Sequence, residues 1–451
     1  MTVDRRRPTV RDLPGTPETA SLRDAAAAAL GVALPTLAKG VVQRRPAMVA
    51  LAERLGSDAA AVRRMQRLRA RHGPGPVVVP LPFRPQAILL DARQVGAVLA
   101  GAPEPFAPAT LEKRSVLAHF EPDVSLASRP PERGPRRRAN EAVLESGCPV
   151  HGAAGRFVAV IGEEIARLVA RAAPGRRLAW DDFTASWQAI VRRVVLGDAA
   201  RMDEALTDGL GRLRGRANWG FLAPRDRSLR ARIHAEIDAY AARAEPDSLA
   251  GRMRGQTALA PQAHSDQLAH HLFAFDAAGI ATFRTILLLA AHDREREAAR
   301  DEALGAPPGR RPHLRACLLE ALRLWPTTPA IFRETTEDVP WGGGVLRRGT
   351  HVLVFTPFFH RDDEILPFAH AFAPEIWGHE AAARRFALVP FSDGPGACPA
   401  RDLVPLLAAE TLAAILARVD IAPMDARLSP KRPLPGTLDP YGSAVIATPG
   451  P

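Results

Sequence analysis

The chain has 451 residues, a hydrophobic fraction of 47% and a formal net charge of +11, which excludes wholesale disorder and leaves ample material for a buried core. Only three cysteines occur (Cys148, Cys317 and Cys398), none in a CxxC spacing; this excludes a disulfide framework and a zinc ribbon and points to the reducing cytoplasm. The positive charge is almost all arginine, spread along the chain, since lysine stands only at Lys39, Lys113 and Lys431; with no nucleic-acid motif beside it, no nucleic-acid partner is expected.

Residues 1–20 are polar, with Pro8, Pro14 and Pro17, and read as a loose tail; 21–451 read as a single domain. Arg5-Arg6-Arg7 precedes an apolar run at 25–38, but Glu18, Arg23 and Asp24 lie between, which spoils an export signal. That run is 14 residues long and contains Pro35, short of the ~20 residues that span a membrane, so no span is expected. From about 20 to 72 apolar residues recur at helical spacing, until His72-Gly73-Pro74-Gly75-Pro76 breaks the pattern. Residues 77–79 and 87–90 predict paired strands, and helices follow over 154–175, 182–198 and 226–244. The longest predicted helix covers 265–292, with Ser265 as its cap. It is apolar on nearly every face, as suits the centre of a large domain. A helix over 311–325 is closed by Pro326. Strands follow at 330–332 and 351–355, around a Gly342-Gly343-Gly344 turn, then a proline-rich meander from 357 to 397. A last helix is expected from just after Cys398 to about 417. The fold class is mainly α, a large helical body with a small β-rich region.

Three patches carry chemistry. Cys398 lies in Phe391-Ser-Asp-Gly394-Pro-Gly396-Ala-Cys398-Pro399, a glycine-rich turn before an expected helix start. A helix N-terminus favours a thiolate, and glycines let the backbone approach a flat ligand. A buried free cysteine after a loop fits the same segment. Glu320 and Arg323 share one helix face at i, i+3 among apolar neighbours, so the pair reads as buried. Ala278-Gly279-Ile280-Ala281-Thr282 lies mid-way along the long apolar helix. It fits either a flat or small ligand lying against the helix or a helix crossing at a small residue.

In this order the three patches resemble the cytochrome P-450 family over roughly residues 70–420. Phe391, Gly394 and Cys398 match its FxxGxxxC loop, Glu320 and Arg323 its ExxR helix, and 278–282 its oxygen-binding helix. Arg323 precedes Cys398 by 75 residues, a separation typical of the family. Arg333 falls where the family places an arginine for a haem propionate, and Arg133 and Arg137 where it starts a propionate-binding helix. Phe372-Ala-Pro374-Glu375 is similar to its meander before the cysteine.

The resemblance implies one haem b with Cys398 as the iron ligand. Arg133, Arg137 and Arg333 would hold its propionates; Ala278, Phe391 and Gly394 would pack against it. Gly279, Ala281 and Thr282 would form the oxygen site, Thr282 hydrogen-bonding dioxygen. His271, Phe275 and 327–332 would shape the substrate pocket. It implies a monomeric, cytoplasmic monooxygenase that inserts one atom of O2 into a small organic substrate. No reductase-like extension is visible in the sequence, so the electrons are expected from a separate ferredoxin-like donor. Alternatives on the same fold are a peroxide-driven peroxygenase, an oxidative coupling enzyme and a non-catalytic haem or ligand-binding protein. The departures from the family pattern are Gly396 for a basic residue, Ala400 for a glycine, Ile376 for an arginine, Arg133 for a histidine and Ala281 for an acid. With Ile376, another group must satisfy Glu320; with Ala281, the usual proton delivery is missing.

Overall fold

The computed structural model describes residues 13, 15–81, 84–171, 176–378, 383 and 385–450. The β-branched runs 77–79 and 351–355 pair into a six-stranded sheet in the order Glu18–Thr19, Val77–Val79, Gln86–Ile88, His351–Phe355, Ala330–Thr335, Phe106–Ala107. Val77 faces Ile88 in antiparallel register, and Ile331 faces Val354. Glu18–Thr19 runs parallel to Val77–Val78, so the end of the stretch expected to be loose is tied to the sheet; residues 1–12 and 14 lie outside the described residues. A three-stranded sheet joins Val419–Pro423, Ala444–Pro449 and Arg176–Ala179, and a hairpin turns at Gly342-Gly343 between Val339–Trp341 and Gly344–Leu346.

The rest is mainly helical, as the composition and periodicity predict. The 20–72 stretch forms Leu22–Ala28 and Leu34–Ala38, joined without a break by the π-helical turn Ala29–Ala33, then Pro46–Arg54 and Ser57–His72. The helices Ala154–Arg171, Trp180–Leu196 and Arg227–Arg243 lie where periodicity places them; Ala92–Ala100, Glu204–Ala217 and Asp293–Gly305 are additional. The long helix runs Pro261–Ala291, not from 265: Pro261 takes the first turn, where its missing N–H costs least. Ser265 therefore lies one turn inside, its hydroxyl 3.2 Å from Nδ1 of His234. The segment Ala263–Ala291 is long and apolar enough to cross a membrane, but it is mostly buried inside the protein. It packs against Trp180–Leu196, Pro312–Leu324 and Leu403–Leu416.

That last helix starts at Leu403, not just after Cys398. The Pro399 carbonyl accepts from the Ser146 hydroxyl and the Asp402 carboxylate from the Gly147 N–H at 2.7 Å. These contacts hold 399–402 as a turn. One apolar core gathers the helices; a second lies between the larger sheet and the helices Ser57–His72 and Ala92–Ala100.

Candidate functional site

Cys398 lies on the wall of a cavity of about 690 Å³ between the long helix, the 389–399 loop and the strand Ala330–Thr335. The loop is fixed by its own backbone: the Cys398 N–H donates to the Phe391 carbonyl at 2.8 Å, and the Val389 N–H to Nε2 of His360 at 2.9 Å. His360 can accept because burial, followed by Arg323, holds its ring neutral, with a pKa pushed down to about 3. Gly394 takes φ +65°, and a Cβ there would lie 2.4 Å from the Leu99 carbonyl, so only glycine fits. Burial pushes the Cys398 thiol up, while the Ala400 N–H and then Arg137 and Arg401 pull it down. With the regular helix starting at Leu403, backbone and arginine charge act on the sulfur in place of the expected helix terminus.

Lys113, Arg133, Arg137 and Arg333 line this cavity, as does Arg44. Arg137 pairs with Glu141 at 2.6 Å and donates to the Ala397 carbonyl at 2.6 Å. Arg133 donates to the carbonyls of Ser125 (3.1 Å) and Pro395 (3.4 Å). Lys113 holds the carbonyls of Pro108 and Phe332, both at 3.1 Å. Arg333 donates to Ser392 Oγ at 3.1 Å and leaves its buried Nε without a partner. Among the described residues, Lys113, Arg133 and Arg333 have no carboxylate at ion-pair distance. Burial lowers all three, followed by Arg333 and Arg133 for Lys113, Arg137 for Arg133 and Arg133 for Arg333, which falls to about 10. Clustered cations facing a cavity without counter-charge are costly. A group carrying two carboxylates, such as haem b, would neutralise them, with Cys398 on the same wall as a soft metal ligand. The residues fit the cofactor. Lys113 was not singled out in the sequence; being one of only three lysines was its one distinguishing mark.

In place of the basic residue, Gly396 leaves room that the Arg333 guanidinium fills. A Cβ at Gly396 would lie 2.8 Å from Nη2 of Arg333, so a longer side chain there would displace that guanidinium.

On the long helix the wall is formed by His270, Phe273, Ala274, Asp276, Ala277, Ala278 and Ile280. Gly279, Ala281 and Thr282 lie behind it. Gly279 receives Trp187, whose ring atoms would be 2.7 Å from a Cβ and whose indole donates to the Phe275 carbonyl at 2.8 Å. At this glycine the structure shows a helix crossing. The Thr282 hydroxyl is fully buried and donates to the Ala278 carbonyl at 2.8 Å. His271 and Phe275, expected in the substrate pocket, also turn into the core, with His271 Nε2 2.7 Å from Asn140 Oδ1. His270 and Phe273 take the wall instead, with Thr327, Thr328, Ala330 and Ile331 opposite; Phe332 stacks on His351. Asp276 pairs with the buried Arg214, which also lies over the Phe273 ring at 5.3 Å.

Glu320 and Arg323 are fully buried and bidentate, at 2.8 and 2.6 Å. Arg323 ties this pair to the carbonyls of His360, Phe368, Ala369 and Ala371. In place of an arginine at 376, Glu320 accepts from the Ala373 N–H at 2.9 Å and the Trp377 indole at 3.0 Å. The pair thus staples the 357–397 meander beneath the cysteine loop.

Comparison with known proteins agrees with this geometry. The Cytochrome P450 family model matches residues 307–435, which include Glu320, Arg323, Arg333 and Cys398. Cytochrome P450 4c3 of Drosophila melanogaster is 32% identical over 117 residues, 26% of this chain and 22% of that protein. Cytochrome P450 4g15 of the same organism is 39% identical over 93 residues (20% and 16%), and human cytochrome P450 4V2 is 35% identical over 88 (19% and 17%). The matched stretch spans about a fifth of the length of these relatives. With the mainly helical architecture, the ExxR staple and the cysteine loop in place, residues 307–435 match the Cytochrome P450 family, and the rest of the fold is consistent with it.

Proposed function

We propose that this chain is a haem-thiolate monooxygenase that inserts one atom of O2 into a small organic substrate, working as a cytoplasmic monomer with electrons from a separate ferredoxin-like donor. The observation that carries this reading is one cavity bearing both Cys398 and the cations Lys113, Arg133 and Arg333, which have no carboxylate partner among the described residues. Haem b, when bound, supplies the iron chemistry that activates dioxygen. Cys398 is its ligand, and Lys113, Arg133, Arg137 and Arg333 hold its propionates. The apolar wall of Phe273, Ala274, Ala277 and Ile331 orients the substrate and excludes water. The net charge of +11 favours an acidic donor, whose steering weakens as salt screens it.

The test is turnover under isotopically labelled O2 with a reduced acidic ferredoxin, followed across ionic strength. Label in the product, at a rate that falls with salt, supports the proposal. A second reading, peroxide-driven oxygenation, is favoured by one observation: Ala281 carries no acid, Thr282 is turned to a carbonyl and Asp276 is held by Arg214. Product formed with hydrogen peroxide but not with O2 and donor would establish it instead.

A further inference from the structure

A second cavity, of about 260 Å³, adjoins the first; Arg44, Ile280, Thr327 and Tyr441 line both. It reaches the surface at the exposed residues Arg63, Asp363 and Pro433 and deepens towards Arg284 and Arg361. Its charges do not balance. Arg44 donates to the carbonyls of Gly40 (2.7 Å) and Thr327 (2.5 Å). Arg284 donates to those of Trp325 (3.1 Å) and Leu438 (2.7 Å). Arg361 donates to those of Leu324 (3.0 Å), Leu434 (2.9 Å) and Pro435 (3.2 Å) and to His370 Nδ1. Among the described residues, none of the three guanidiniums has a carboxylate at ion-pair distance. The two carboxylates on the wall are engaged elsewhere: Asp58 by Lys39 and Thr437, Asp363 by Gln66 and His370. Arg284 is 8% exposed, and its Nε has no partner.

The half-buried Arg44 and the buried Arg284 and Arg361 hydrogen-bond only neutral acceptors, with Asp58 opposite them at longer range, and such a cluster is costly unless an anion joins it. Arginine forks suit a phosphoryl group, whose several oxygens can meet more than one of them. We propose that this cavity binds the phosphoryl group of the substrate, a phosphate ester whose apolar part extends past Thr327 and Tyr441 into the haem cavity. The proposal rests on the monooxygenase reading, and it replaces a generic organic substrate with a phosphorylated amphiphile.

The experiment is calorimetric titration of the haem-loaded protein with n-octyl phosphate, octanol and inorganic phosphate, and Soret titration with the first two. The ferrous carbon monoxide spectrum is recorded in parallel. Octyl phosphate is expected to bind at least tenfold more tightly than octanol. Arg284→Gln, at a residue outside the haem cavity, should erase most of that ratio and leave octanol binding unchanged; Arg44→Gln, at a half-buried residue, should also erase most of the ratio and serves if Arg284→Gln does not fold. Equal binding of octyl phosphate and octanol overturns the proposal. So does inorganic phosphate that binds without competing with octyl phosphate, since the cavity is then a separate ion site. A missing thiolate spectrum defeats the monooxygenase reading; a normal spectrum without phosphate preference defeats only the cavity assignment.

Discussion

The Trp377 indole donates to Oε2 of Glu320 at 3.0 Å, completing with the Ala373 N–H and Arg323 the donors around a carboxylate that is fully enclosed. Removing the indole leaves Oε2 with Arg323 Nε as its donor, so the loss is that of one hydrogen bond to a charged group, about 1 kcal/mol. Trp377→Phe is therefore expected to lower Tm by about a degree and to speed haem loss, because the meander under Cys398 hangs on this pair. An unchanged Tm together with unchanged haem retention would show that the indole bond contributes nothing.

Cys398→Ala is expected to abolish the red-shifted Soret band of the ferrous carbon monoxide complex. Cys148→Ala and Cys317→Ala should keep it. Cys148 is exposed, and Cys317 is buried beside His313 at 3.6 Å, so neither lines the cavity. A normal band in Cys398→Ala ends the haem-thiolate reading.

Asp276 lines the cavity, yet its carboxylate is held by Arg214, whose Nε and Nη2 are buried and unpartnered. Its role is to neutralise that guanidinium. Asp276→Asn should cost about 1–3 kcal/mol, less than for a wholly enclosed pair because the Asp276 side chain is 36% exposed. Product formed per electron should not change. Ala281→Asp would bury a carboxylate behind the wall at a 1% exposed position and should destabilise the protein without improving coupling. Normal stability with poorer coupling in Asp276→Asn would instead make Asp276 a proton carrier.

Asp266 gives a pH dependence of definite sign. Burial raises its carboxyl from 3.8 to about 7, with Asp123 and Glu121 adding to the rise and the Asp123 N–H and Arg230 opposing it. His234, 3.3 Å away, is itself lowered by burial, so burial disfavours the charged form of both partners. Between about pH 4 and 7 the folded protein keeps a proton that the unfolded chain has released. This contribution to stability therefore falls as pH rises, by at most about 1.4 kcal/mol per pH unit, and is flat above 7. In Asp266→Asn that slope should vanish. The Tm gap between variant and parent should widen from pH 4 to 7 and then hold constant; parallel curves would contradict this.

Local features were readable in the sequence where one segment carries the whole signal. The Cys398 loop, the Glu320–Arg323 spacing, the 77–90 hairpin and most helices lie where periodicity and punctuation put them. The phase of the long helix was not readable: apolar on every face, it has no polar side to show which way it turns, so His271, Phe275 and Thr282 were given to a cavity that His270, Phe273 and Ala277 line. Lys113 and Trp377 complete their clusters from segments distant in sequence, brought in by tertiary packing that no local pattern encodes. The start of the last helix was set by contacts from 146–147, equally remote.

The 2.8 Å between a Cβ at 396 and the Arg333 guanidinium means that the glycine lends its space to its neighbour. A basic side chain grafted at 396 would enter the same corner from the loop, and the mobile end of Arg333 would have to swing aside to admit it. The chain therefore holds this corner from the strand, with one charge where the loop could have offered a second.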